Sequence, residues 1–200
     1  MKLRHIPGGP LIISLVLIIA CQPPHKEREE VYRAAIDYLR AERGPREPWH
    51  QLLVAERTEA PNKDERLPGR SFGPCFSRTK AIPLDRLTEE FREANKLTSS
   101  IRDDLASVPD VILVPPSHYL DAKGQFSWEK MFKYYGKRRA NAYYLPSGLL
   151  SVSGIGFNLM GDRALIFIRY SCSLCGFGEY LLLHKKEKWS VEDACRVWVS

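Results

Sequence analysis

The chain has 200 residues, 44% hydrophobic and 27% charged, with 30 basic against 24 acidic side chains for a net charge of +6. Thirteen glycines and fourteen prolines are ordinary usage, so collagen-like, low-complexity and largely disordered chains are excluded. A single strongly apolar stretch excludes a multi-pass membrane protein.

Lys2, Arg4 and His5 form a basic head, followed by an apolar run from Leu11 to Ile19 broken only by Ser14. Ala20-Cys21 then give way to polar Gln22-Pro23-Pro24. A basic head, a short apolar core and a small residue before the break describe a secretory signal peptide over residues 1–20. A spanning helix needs ~20 apolar residues, roughly twice this run, and Pro7 and Pro10 bar its extension backwards. Ile18-Ile19-Ala20-Cys21 resembles the bacterial lipobox, with Ile in place of the usual Leu and of the usual small residue. The resemblance implies a lipidated Cys21 as the first mature residue, a tether over Gln22 to Lys26, and a protein held at the bacterial cell envelope, on the periplasmic face or the outer membrane. The alternative is an ordinary cleaved signal with a coincidental cysteine. Without residues 1–20 the chain carries 28 basic and 24 acidic side chains, a mild excess that gives no argument for nucleic acid.

Residues 27–200 read as one domain. Val31, Ala34, Ala35, Tyr38 and Leu39 recur at helical spacing, so a helix is expected over Glu27 to Arg43, stopped by Gly44-Pro45. Trp49 to Arg57 is a strand candidate with Leu52 and Val54 inward, and Ala60 to Pro74 reads as an exposed loop. After Pro83, the positions Leu84, Leu87, Phe91, Ala94, Thr98, Ile101 and Leu105 form one seam, predicting a helix of some six turns that packs on a sheet. Val111 to Val114 is a short strand before Pro115-Pro116, and Phe126 to Gly136 a short helix capped by Ser127. Lys130, Lys133, Lys137, Arg138 and Arg139 interleave there with Trp128, Phe132 and Tyr135; the favoured reading is a solvated face whose aromatics are core, the other a surface for anionic lipid or a polyanion.

From Ser147 the pattern turns to strands: Leu149–Leu159, Arg163–Tyr170, Gly178–His184, Lys188–Glu192 and Cys195–Val199, joined by short turns that suit antiparallel pairing. The expected fold class is α+β, with two main helices (27–146 being mainly helical and loop) packed on a four- to five-stranded antiparallel meander over 147–200.

With Cys21 lipidated, four cysteines remain in oxidising surroundings: Cys75, Cys172, Cys175 and Cys195. Cys172-Ser173-Leu174-Cys175 is a C-x-x-C, leaving Cys75 and Cys195 as a second pair. A redox dithiol prefers a helix amino terminus, whereas the flanks here are strand-like and Gly176 and Gly178 favour a turn. A zinc site lacks a second ligand pair. Structural bridging is favoured, with redox and metal as the other readings.

Several segments together resemble a recurring bacterial pattern: Ser153-Gly154-Ile155-Gly156-Phe157-Asn158, Ala164-Leu165-Ile166-Phe167, Cys172 to Gly176, Gly178 to Leu183, and Trp198-Val199-Ser200. It is similar to a family of uncharacterised exported proteins and lipoproteins, covers about residues 126–200, and differs at Ser173 and by the additional Cys195. The resemblance implies location and fold but brings no activity.

No G-x-S-x-G, H-E-x-x-H, P-loop or dinucleotide fingerprint is present, and His25, His50, His118 and His184 are scattered. The expectation is a non-enzymatic binding or structural module with no metal or cofactor, taking a protein or small-molecule partner. The alternatives are a thiol-redox protein using Cys172 and Cys175, or a hydrolase drawing on Asp85, Glu89, His118 or Asp121.

Overall fold

The computed structural model describes residues 24–43, 52–62, 65, 75–76, 84–139, 142–144 and 148–200. Cys21, most of the expected tether, Gly44-Pro45 and Trp49 lie outside them. Among the described residues no helix is long and apolar enough to cross a membrane.

The sheet begins with β1 (Leu52–Ala55), which pairs in parallel with β2 (Val111–Val114) on one side and with β5 (Leu149–Val152) on the other. From β5 the pairing turns antiparallel through β7 (Arg163–Cys172), β8 (Cys175–Lys185) and β9 (Trp189–Val199), with the short β6 (Gly156–Phe157) added to β7. A separate hairpin is formed by β3 (Lys137–Arg139) and β4 (Ala142–Tyr144). The expected four- to five-stranded antiparallel meander is therefore wrong: the sheet is seven-stranded and mixed, and the architecture is mixed α/β. Both missing strands read as strands in the sequence. Their parallel partners lie far along the chain, beyond the reach of turn lengths, because parallel pairing needs a long crossover.

Among the described residues four α-helices cover the two faces: α1 (His25–Arg43), α2 (Leu84–Ala94), α3 (Arg102–Leu105) and α4 (Trp128–Tyr135). On one face Val31, Ala35, Ile36 and Leu39 of α1, with Leu105 of α3 and Ile101 just before it, bury against Val54, Leu150, Ile166, Ile168 and Leu181. On the opposite face Leu87 and Phe91 of α2, with Phe76, cover Leu165, Phe167, Tyr180 and Leu182. Met131 of α4 and Tyr119 cover Leu53, Ala55, Val114 and Leu149 on that same side. The period-two alternation of β7 is what splits these sets: Ala164, Ile166, Ile168 and Tyr170 face α1, while Leu165 and Phe167 face α2.

The six-turn helix expected over Leu84 to Leu105 breaks into α2 and α3, on opposite faces of the sheet. Asn95 ends α2: its amide donates to the carbonyls of Phe91 at 2.7 Å and Gly154 at 3.1 Å, and its oxygen accepts from the Gly154 amide at 2.8 Å. The periodic seam persists because both helices bury an apolar side, but Ile101 and Leu105 bury theirs on the far side from Phe91. The Gly154–Gly156 segment also interrupts the expected Leu149–Leu159 strand, giving β5 and β6. A Cβ at Gly156 would collide with the Phe91 backbone, so this glycine lets α2 lie directly on β6. Conversely, the two strands expected at Lys188–Glu192 and Cys195–Val199 are one, β9, with register shifts against β8.

The amino end of α1 is tied down by charge. Glu27 accepts from Lys185 Nζ at 2.6 Å and Trp189 Nε1 at 2.9 Å, and Arg28 Nε donates to both oxygens of buried Asp104 at 3.2 Å. These contacts start the helix at His25, inside the expected tether.

Candidate functional site

The four cysteines fall into two pairs at disulfide distance. Cys75 and Cys195 have Cα atoms 5.4 Å apart across 120 residues, with Cys195 buried against Phe76 and Leu182. Cys172 and Cys175 face each other across the two-residue turn between β7 and β8, with Cα atoms 5.0 Å apart. Cys175 is exposed, and Leu174 at the tip is 95% exposed. Among the described residues the pair sits between two strands, with no helix amino terminus next to it in the chain. Among the described residues no group of three or more His, Cys, Asp or Glu is arranged to hold a metal ion.

The residues named for a hydrolase are not brought together. Asp85 and Glu89 are exposed on α2. His118 stacks on Tyr134 with centroids 3.7 Å apart, and its Nδ1 lies 2.9 Å from Tyr135 Oη. Asp121 closes a turn, accepting from the amides of Lys123 and Gln125 at 2.8 Å. In the basic-aromatic segment Lys130 Nζ donates to the Leu120 carbonyl at 2.6 Å, and Lys133 lies 5.8 Å from the centre of the Tyr134 ring. The Lys137, Arg138 and Arg139 side chains lie outside the described residues.

A cleft among the described residues lies elsewhere. Between the apolar patch under α2 and the one under α4, the sheet face turns polar: Ser151, Arg169 and Ser171 stand where apolar side chains occupy the same face on either side. Strand register sets Leu149 opposite Ser171 and Ser151 opposite Arg169, so these four form the floor of a cleft of about 580 Å³. One wall is the segment Arg57–Ala60 leaving β1, held by the bond from the Glu59 amide to the Val152 carbonyl at 2.8 Å. The other is the loop after β2, with Tyr119, Leu120, Gly124 and Phe126. That loop is fixed by the Asp121 turn and by Gly124, whose φ of 74° lies in the left-handed region that favours glycine.

An ion network anchors the cleft. Arg169 donates through Nη1 to Glu59 at 2.8 Å and through Nε to Glu65 at 2.6 Å, with a second contact from Nη2 to Glu65. Glu65 also accepts from Trp198 Nε1 at 3.0 Å and the Asn62 amide at 2.9 Å. Burial alone would raise the Glu65 carboxyl, but the Arg169 hydrogen bonds and charge, with the bonds from Asn62 and Trp198, hold it below the ordinary range. Burial works against the Arg169 charge too, and the two glutamates more than compensate, raising it. Tyr119 is pushed up by burial and by the charge of Glu59, to which its hydroxyl is hydrogen-bonded. Glu65 is almost fully buried, inside a segment expected to be an exposed loop.

The hydroxyls of the floor and its neighbourhood differ in a telling way. Ser153, fully buried, donates to the Gly154 carbonyl at 2.8 Å and accepts from the Phe167 amide at 2.8 Å. Thr58 accepts from the Ser99 amide at 2.9 Å. Ser151 is only 6% exposed, yet its hydroxyl has no hydrogen-bond partner among the described residues. Arg57 at the rim is exposed and likewise makes no side-chain hydrogen bond or ion pair among them.

None of these cleft residues was singled out in the sequence. Arg169 alone left a trace, as the charge within the otherwise apolar run from Ala164 to Tyr170 of β7. Ser151, Glu59, Glu65 and Phe126 come from separate segments and carry no mutual spacing. No protein-family model, curated protein or solved structure matches this chain.

Proposed function

We propose that this chain is an exported lipoprotein of the bacterial cell envelope, held at the membrane by a lipid on Cys21, and that its folded domain is a non-enzymatic binding module. The observation that carries the location is Ile18-Ile19-Ala20-Cys21 behind an apolar run too short to span a bilayer. Each acyl methylene buried contributes ~0.8 kcal/mol, so two or more chains hold a domain durably. Binding rather than catalysis is supported by the cleft: Glu59 is paired with Arg169, and among the described residues no nucleophile stands beside an unpaired base in it. Cys21→Ser tests the anchor. The variant should leave the membrane fraction; partition like that of wild type would reject the lipoprotein reading.

A second reading, an envelope thiol-redox protein, is favoured by the exposure of Cys175 and Leu174 at the β7–β8 tip. Insulin reduction abolished by Cys172→Ser would support it, and inactivity of the reduced wild type would dismiss it.

A further inference from the structure

We propose that the cleft between α2 and α4 binds a neutral polyhydroxylated ligand, one or two sugar rings of a saccharide; this rests on the binding-module reading and names its ligand class. The first observation is the Ser151 hydroxyl. A buried polar group without a partner costs stability, and its neighbour two residues on, Ser153, is fully bonded. Ser151 lines the cleft, so a bound group that can both donate and accept would satisfy it. A sugar hydroxyl does both.

The second observation is charge balance. Glu59 and Glu65 both pair with Arg169, and with Arg57 at the rim the formal charges of these four side chains cancel, so the cleft offers no strong field for a multiply charged anion. Glu59 retains acceptor sites beyond those taken by Arg169 and Tyr119, and Arg57 retains all its donors. A carboxylate and a guanidinium on one wall, with hydroxyls on the floor, suit vicinal hydroxyls. The third observation is Phe126 on the opposite wall, 41% exposed and held edge-on by Trp128 with ring centroids 4.7 Å apart. A fixed, part-exposed ring gives the C–H face of a pyranose an apolar platform. The volume of about 580 Å³ falls within the ~300–1,000 Å³ of small-ligand sites.

The test uses the full chain purified from membranes in a zwitterionic detergent, since a glucoside headgroup would compete. Calorimetric titrations with cellobiose, maltose and N,N′-diacetylchitobiose are run beside glycylglycine and inorganic phosphate. At least one disaccharide should bind, and Ser151→Ala and Phe126→Ala should each weaken it about tenfold. Ser151→Ala should leave the thermal midpoint unchanged or higher, because it removes a hydroxyl with no partner to lose. A lower midpoint for that variant, or disaccharide binding indifferent to both substitutions, overturns the proposal. Binding of only the dipeptide or phosphate, weakened by Ser151→Ala, overturns the saccharide class and leaves the binding module standing. Silence of all five probes overturns the saccharide proposal and removes the cleft as support for the binding reading.

Discussion

Removing the Glu65 carboxylate should be among the most damaging single changes in the domain. Four donor atoms converge on it: Nε and Nη2 of Arg169, Nε1 of Trp198 and the amide of Asn62. Glu65→Ala would leave Arg169, itself mostly buried, with Glu59 alone, and would strip the Trp198 indole and the Asn62 amide of this acceptor. Breaking a buried pair from one side costs about 3–5 kcal/mol, a large part of the ~5–15 kcal/mol that holds a domain folded. The contrast is Glu93→Ala, which loses a pair with Lys96 whose side chains are 63% and 65% exposed and should cost ~0–1 kcal/mol. Urea unfolding followed by tryptophan fluorescence measures both. The pH dependence adds a sign. The folded Glu65 carboxyl lies below the ordinary 4.5, so its stabilisation is complete above that value and is lost as pH falls below it. The gap between wild type and Glu65→Gln should therefore be widest at neutral pH and close on acidification. Equal midpoints for Glu65→Ala and Glu93→Ala, or a gap that widens in acid, would refute the reasoning.

Glu179 should titrate with the opposite sign: burial raises its carboxyl despite Arg196 at 3.3 Å, so the folded state favours its protonated form and its contribution is lost as pH rises. Glu179→Gln should gain on wild type in urea midpoint as pH climbs past 4.5; a gain confined to acid would refute this. Phe91, 5% exposed and set edge-on to Tyr180 at 5.8 Å, should cost ~3–5 kcal/mol as Phe91→Ala by chemical unfolding, and an unchanged midpoint would take α2 off the core. The Cys75–Cys195 link closes 120 residues and should contribute ~5 kcal/mol against ~2 kcal/mol for Cys172–Cys175. Unfolding midpoints of the two double alanine variants under non-reducing conditions check that order, and equal losses would contradict it.

Local patterns carried the sequence reading as far as each element's own neighbours. Val31, Ala35 and Leu39 mark α1 because a helix returns to the same side every three or four residues, whatever it packs on. The alternation from Ala164 to Tyr170 marks a strand buried on both sides for the same reason, and Ser127 caps α4 through its own Lys130 amide at 3.4 Å. Cysteine count and chain order brought forward Cys75, Cys172, Cys175 and Cys195, since their chemistry belongs to the residue type. What joins distant segments left no such mark. Leu52–Ala55 reads as a strand, but only the assembled sheet sets it in parallel between Val111–Val114 and Leu149–Val152. The Leu84–Leu105 seam is one periodic pattern in the sequence; the Asn95–Gly154 contact divides it between two faces of the sheet. The cleft is the extreme case. Ser151 and Ser153 are alike in sequence, and it is the position of each on the folded sheet that gives one hydroxyl two partners and leaves the other facing the cleft. Spacing along a chain encodes which side of an element a residue occupies, whereas a binding site depends on which sides meet, and that is fixed only when burial and pairing across the whole fold are satisfied together.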